Sequence, residues 1–75
     1  MSDDEFYMII YDRYAEEILD RRLVGDQIEY LVLWRSRKKL FEPYKSWEAQ
    51  TMIQEDYNLN KLLDAYWEKQ FKNKK

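Results

Sequence analysis

The chain contains a single glycine, and the dipeptide Gly25-Asp26 that holds it is the clearest turn signal in the sequence. The run after it, 27–34, is rich in β-branched and aromatic residues and is too short for a helix, so it predicts a strand. The run before it, 18–24, predicts an antiparallel partner, joined through a turn of two residues or more. One face of the second strand carries Ile28, Tyr30, Val32 and Trp34, and the other carries Glu29, Leu31 and Leu33. Both faces include apolar residues, which predicts a strand that passes into a two-sided core.

A helix is predicted from about 58 to 72, because apolar residues recur there at the spacing of one helix face. The residues of this face are Leu59, Leu62, Leu63, Tyr66 and Trp67. Asn58 is a candidate N-cap, and Asp56 competes with it for that position. The helix must pack on something, and the small predicted sheet offers one open face.

Between the hairpin and the helix, residues 36–45 predict a charged loop and residues 46–48 a short third strand, whereas 51–57 shows no clear pattern. The segment 1–12 is either a further strand or an arm that pairs with a peptide. We therefore expect one domain over 13–75, of the α+β class. Its expected form is a curled three-stranded antiparallel sheet, an SH3-like partial barrel, with the C-terminal α-helix packed across it.

Two absences limit the chemistry of these 75 residues, which include neither Cys nor His. No disulfide, thiolate nucleophile or imidazole base can be built, nor a zinc site from those ligands. The 15 Asp and Glu residues are typical of a solvated surface at this length, so we expect no catalytic residue, no metal and no cofactor. No apolar run approaches the ~20 residues of a membrane span. The acidic N-terminus lacks the pattern of a signal peptide, and we expect an intracellular protein with no membrane partner.

Charge is distributed unevenly, although the net charge is only −2. Residues 1–29 hold nine acids and three bases, whereas residues 30–75 hold six acids and ten bases. The basic cluster of the predicted loop is Arg35, Arg37, Lys38 and Lys39. It is either a nucleic-acid contact or a solvated surface. The lysines near the C-terminus suit the negative end of the helix dipole.

Three segments together resemble a known family. They are Glu16-Glu17-Ile18-Leu19-Asp20-Arg21-Arg22, Glu29-Tyr30-Leu31-Val32-Leu33-Trp34 and Ser46-Trp47-Glu48, followed by a helix with Leu62-Leu63 and Tyr66. The chain is similar to a chromodomain over about residues 13–72, and the stretch 16–34 matches without a gap. The resemblance implies the same three strands and helix. Because chromodomains of the heterochromatin-protein type bind histone tails with trimethylated lysine, it also implies a nuclear, non-catalytic chromatin reader.

The resemblance further implies an aromatic cage, in which ring faces hold a quaternary ammonium by cation–π attraction. Trp34 stands at one cage position of the family, whereas Arg13 and Arg37 stand at two others. The candidates that complete a cage here are Tyr14, Tyr11, Phe41 and Tyr44 as walls, with Glu42 as a bordering carboxylate. A β-bulge is expected to rotate Tyr14 or Tyr11 into place. An H3-type, lysine-methylated tail is expected to add as a strand in a groove formed by Phe6, Tyr7 and Glu48.

Two other functions stay open. The related chromoshadow domain implies a cage-less interaction module, a homodimer through the C-terminal helix, to which Tyr66, Trp67 and Phe71 give aromatic bulk. The alternative for Trp67 and Phe71 is that they seal a thin core. Some chromodomains that lack a cage bind nucleic acid or target retroelement integrases. The basic cluster 35–39 would serve that role, and such binding would fall steeply with salt.

Overall fold

The computed structural model describes residues 13–38 and 41–73. Within them the chain forms three strands, β1 (Arg13–Val24), β2 (Gln27–Ser36) and β3 (Tyr44–Ala49), and two helices, α1 (Gln50–Glu55) and α2 (Tyr57–Asn73). The strands pair antiparallel in the order β1-β2-β3 and form one curled sheet, and α2 packs against β1 and α1. The predicted α+β class and its strand–helix order are therefore confirmed. The arm predicted over 1–12 lies outside the described residues.

The β1–β2 hairpin closes on the turn that the sequence indicates. Val24 pairs with Gln27, so the loop between the strands has only two residues. Gly25 has a φ of 64°, a left-handed conformation that side chains with a Cβ rarely adopt. The turn therefore has two residues and not more. The paired strands, 13–24 and 27–36, are both longer than the predicted strands 18–24 and 27–34.

Within the described residues, the pairing of β1 with β2 has two irregularities of register. One lies between Ala15 and Glu17 and the other between Ile18 and Asp20, and each adds one unpaired residue. An added residue reverses the alternation of side chains along a strand. As a result, Arg13 and Ala15 lie on the same face of the sheet as Ile18, opposite Ser36, Trp34 and Val32 in turn.

The core lies between this face of the sheet and the helices. In the described residues its buried members are Ile18, Tyr30, Val32, Ile53, Leu59 and Leu63. The partly buried residues packed against them are Ala15, Ile28, Trp34, Met52, Leu62 and Tyr66. Both predicted apolar faces, that of β2 and that of α2, thus meet in one cluster. Burial of each large apolar side chain contributes roughly 1.5–3 kcal/mol before entropy is counted.

The other face of the sheet is not a second core, which corrects the prediction of a two-sided one. Leu31 and Leu33 are only half-buried there. Trp47, which pairs with Leu31, is covered by the Arg22 guanidinium, 4.2 Å from the ring centre. Arg22 also forms an ion pair with Glu29, with 2.7 Å between nitrogen and oxygen. The Arg22 side chain therefore covers Trp47 on this face, where the prediction placed a second core.

The helical part differs from the prediction at both of its ends. Residues 51–57, which showed no clear pattern, include most of α1 (Gln50–Glu55). This helix places the fully buried Ile53 in the core. α2 is capped by Asp56, whose Oδ1 accepts the Leu59 N–H at 3.0 Å. The last apolar positions leave the core, since Trp67 is 38% and Phe71 74% exposed. Among the described residues, no helix is both long and apolar enough to cross a membrane.

We expect Asp56→Ala to lower the free energy of unfolding by about 1 kcal/mol, because it leaves an N–H of the first turn of α2 without its acceptor. Asn58→Ala is the matched control and should change that free energy by less than about 0.5 kcal/mol. Urea unfolding followed by tryptophan fluorescence measures both. A larger cost for Asn58→Ala would show that the cap is misplaced.

Candidate functional site

Three aromatic rings and one cation meet at the end of the sheet away from the hairpin turn. Trp34 pairs with Tyr44 across β2 and β3, and their rings stack with centroids 6.3 Å apart and planes 15° apart. The Arg13 guanidinium carbon lies 4.7 Å from the centre of the Tyr44 ring and 5.2 Å from that of Phe41. We call Trp34, Phe41 and Tyr44 the aromatic cluster. Both distances are within the ~6 Å over which cation–π attraction acts.

Arg13 is held in this place at some cost. Its Nε is buried, and among the described residues it has no hydrogen-bond partner. A buried donor without a partner costs about 1–3 kcal/mol. A desolvated cation–π contact contributes about 2 kcal/mol or more. The contact with the ring faces is therefore of the same order as the cost of the unpaired Nε.

A chain of hydrogen bonds fixes the plane of the Trp34 ring. The indole Nε1–H donates to the Ser46 Oγ at 2.7 Å, and that hydroxyl donates to the Glu48 Oε2, also at 2.7 Å. Tyr44, Ser46 and Glu48 alternate along β3 and so share the face that Trp34 occupies. This gives Glu48, predicted as a groove residue, a contact inside the site. No motif marks the role of Ser46; the available signal is its position two residues after Tyr44, on the same face of β3.

Tyr14 lies on the opposite face of β1 from Arg13 and Ala15, where it pairs with Arg35. The Arg37 guanidinium covers its ring at 5.2 Å. Tyr14, Phe41 and Glu42 line a cavity of about 400 Å³, together with Arg37 and Pro43. The structure therefore brings Tyr14 and Glu42 together with Phe41 of the aromatic cluster, while Trp34 and Tyr44 lie on the core side of the sheet. A bulge is present at Ala15/Glu17, but it turns Arg13 toward the Trp34 side and Tyr14 away from it, so the expectation that it would rotate Tyr14 into place beside Trp34 is wrong.

A groove of about 500 Å³ runs from the aromatic cluster to the first turns of α2. Its walls are the start of β1 and the end of β2, with Arg13 and Trp34 at one end. The opposite wall is formed by Asp56, Asn58, Leu59, Lys61 and Leu62. Asp56 and Lys61 give this groove charges of both signs. Four sequence-predicted residues, Phe6, Tyr7, Tyr11 and Lys39, lie outside the described part of the chain.

Two arginines of the basic cluster, Arg35 and Arg37, make contacts within the chain. Arg35 donates a hydrogen bond to Glu16, and this bond and the Glu16 charge raise the pKa of Arg35 above its ordinary value. Arg37 covers Tyr14, as described above. These contacts hold two guanidinium groups against side chains of β1, although both arginines remain exposed on the surface.

The C-terminal half of α2 forms a second aromatic group. Tyr66 and Trp67 meet edge to face at 5.4 Å, and the Arg21 guanidinium lies 5.8 Å from the Trp67 ring centre. Burial raises the pKa of the Tyr66 hydroxyl, and the charge of Asp20 and the nearby Tyr30 raise it further. This group packs on the sheet through Tyr66, whereas Phe71 points outward. In residues 13–38 and 41–73, no three carboxylates are grouped to hold a metal ion.

Comparison with known proteins identifies one family. The model of the Chromo (CHRromatin Organisation MOdifier) domain matches residues 13–69. This stretch begins at Arg13 and includes the whole sheet, α1 and most of α2. No curated protein and no solved structure matches the chain.

We expect Ser46→Ala to lower the free energy of unfolding by about 1 kcal/mol, because it removes the acceptor of the Trp34 indole N–H. Ser46→Thr keeps the hydroxyl and is the matched control, with stability close to that of the wild type. Urea unfolding gives the free energy, and hydrogen exchange at the Trp34 Nε1 reports the bond itself. Unchanged exchange in Ser46→Ala would contradict the proposed hydrogen bond.

Proposed function

The chain belongs to the chromodomain family, and from that premise we propose that it reads an H3-type histone tail by holding a methylated lysine in the aromatic cluster. The family match alone supports a chromatin-associated binding module in general. Chromodomains are generally non-catalytic, and the proposal includes no reaction, no metal and no cofactor. A nuclear location follows from the same proposal.

The observation that carries the proposal is a cation already held on ring faces. The Arg13 guanidinium lies within 5.2 Å of two ring centres of the aromatic cluster, and Tyr44 stacks on Trp34 beside it. A methylammonium group makes the same contact, because the attraction depends on charge and on the ring quadrupole. Rings that hold one cation in a partly dry site are thus suited to hold another.

The surroundings support a peptide as the carrier of that cation. The groove that leads from the aromatic cluster to α2 is open to an extended chain, and the cavity beside Phe41 carries the carboxylate of Glu42. The acidic run 3–5 suits a basic tail. Phe6, Tyr7 and Glu48 remain the proposed groove residues, with Tyr11 and Tyr14 as further candidate walls. The tail would bind by strand addition along this path.

We expect an H3-type peptide with trimethyllysine to bind at least about tenfold more tightly than the unmodified peptide, because a quaternary ammonium is desolvated at lower cost. Titration of tryptophan fluorescence measures both affinities, since Trp34 belongs to the cluster. A peptide with a neutral tert-butyl group in place of the trimethylammonium should bind as weakly as the unmodified one.

The control for this titration is a matched pair of tyrosine variants. Tyr44→Leu removes a ring of the aromatic cluster and should abolish the preference for methylation. Tyr57→Leu removes a ring that is 72% exposed on α2 and should keep it. Equal affinity for methylated and unmodified peptides, or equal effects of the two variants, would contradict the proposal.

A homodimer through α2 is the second candidate, favoured by the exposure of Phe71 and Trp67 at 74% and 38%. Sedimentation equilibrium should then show a mass that rises with concentration. Phe71→Ser should return the chain to a monomer, whereas Leu23→Ser, at a 65% exposed hairpin position, should not. A monomer at every concentration would rule this candidate out.

Nucleic-acid binding through Arg35, Arg37, Lys38 and Lys39 has less support from the geometry. Arg35 and Arg37 both make contacts with side chains of β1. A phosphate would have to compete with Glu16 for Arg35, and no contact of the described residues favours this third candidate.

A further inference from the structure

We infer that Arg13 is an internal ligand of the aromatic cluster, and that a methylammonium binds there by displacing it. This inference rests on the proposed function and concerns the regulation of the same site. Arg13 occupies the position at which the resembling family carries a cage aromatic. In this chain the residue at that position is a cation that competes for the remaining rings.

The geometry makes the two cations mutually exclusive. The guanidinium covers Tyr44 at 4.7 Å and Phe41 at 5.2 Å. A ring face covered at that distance has no room for a second cation, and the like charges repel each other. The register fixes the tether, because Arg13 pairs with Ser36 one step beyond the Ala15–Trp34 pair. The side chain is therefore anchored at the mouth of the site and remains at high effective concentration.

The hydrogen bonding of the two cations favours exchange. The Arg13 Nε is buried without a partner among the described residues, so its release into water restores a hydrogen bond. A trimethylammonium group has no N–H and loses no hydrogen bond when it enters the same place. The less methylated forms carry one or more N–H donors and would face the cost that Arg13 faces now. The site should therefore prefer the quaternary cation.

Occupancy of the aromatic cluster by Arg13 also lowers the apparent affinity for a methylated peptide. A ligand that binds only when the site is vacated has its affinity reduced by the fraction of molecules in that state. If Arg13 leaves the rings in about one molecule in ten, removal of its side chain should tighten binding about tenfold. The cage would then be a gated one, opened by whatever draws Arg13 away.

The first experiment compares Arg13→Ala with Arg21→Ala in binding the trimethylated H3-type peptide. Both variants remove one positive charge, which by itself favours a basic peptide. Arg21 contacts Trp67 at 5.8 Å, outside the aromatic cluster, so its variant controls for charge alone. We expect about tenfold tighter binding for Arg13→Ala and a change of less than about twofold for Arg21→Ala. Equal effects of the two variants, or weaker binding by Arg13→Ala, would overturn the inference.

If Arg13→Ala folds poorly, Arg13→Gln takes its place in the first experiment. The second experiment uses the wild-type chain and needs no peptide. Nuclear magnetic resonance should show ring-current shifts at the Arg13 δ protons, and Tyr44→Leu should remove them. Titration with acetyl-trimethyllysine amide should return these protons to the shifts of a solvated arginine. Solvated shifts in the free protein would overturn the inference and leave the proposed function standing. A third outcome is that the Arg13 δ protons are shifted in the free protein, but no trimethylated ligand binds to the wild type or to Arg13→Ala. That outcome would refute the proposed function, and the displacement with it.

Discussion

The extra residue in β1 between Ala15 and Glu17 determines what the aromatic end of the sheet contains. Without it, strict alternation from the buried Ile18 would place Tyr14 on the core side. With it, Arg13 reaches that side, and Tyr14 turns to the other face under Arg37. One inserted residue thus exchanges a ring for a cation beside Trp34. The same insertion increases the local twist, which helps the sheet curl around its helix.

The main elements of the fold could be predicted because their signals are local. A single glycine marks the hairpin, and the apolar period of two along β2 and of 3.6 along α2 identifies the faces that meet in the core. Register is not a local property, so the pattern gave neither the positions of the two bulges of β1 nor their effect, although the family resemblance suggested a bulge near Tyr14. α1 was missed because six residues are too few for a helical period to emerge. The N-cap was left open between Asp56 and Asn58 because either residue type can fill that position.

The site was predictable in its parts but not in its arrangement. Trp34, Phe41 and Tyr44 were all candidates, and the structure groups them around the arginine that stands at a cage position of the family. Which rings meet depends on the register of β1 and on the path of the loop, and neither has a sequence pattern. The hydrogen bond from Trp34 to Ser46 was hidden for the same reason, since it joins residues twelve apart across two strands. Such a bond holds the ring in place before any ligand arrives, which reduces the entropy lost on binding.

Arg13 and the segment between Trp34 and Trp47 meet at the aromatic cluster, so their roles belong together. Arg13 stands where the resembling family carries a cage aromatic, and Phe41 of the loop and Tyr44 at the start of β3 present ring faces to it. Arg13 contacts both rings in the free protein, so under the proposed displacement its guanidinium stabilises the state that a ligand would have to replace. The cation–π contacts of Arg13 favour this arrangement, and the unpaired buried Nε opposes it by a free energy of the same order. The net free energy that holds Arg13 on the rings is therefore small. A small balance of this kind is easily reversed by a ligand that brings a cation without an N–H, along with the contacts of an extended peptide.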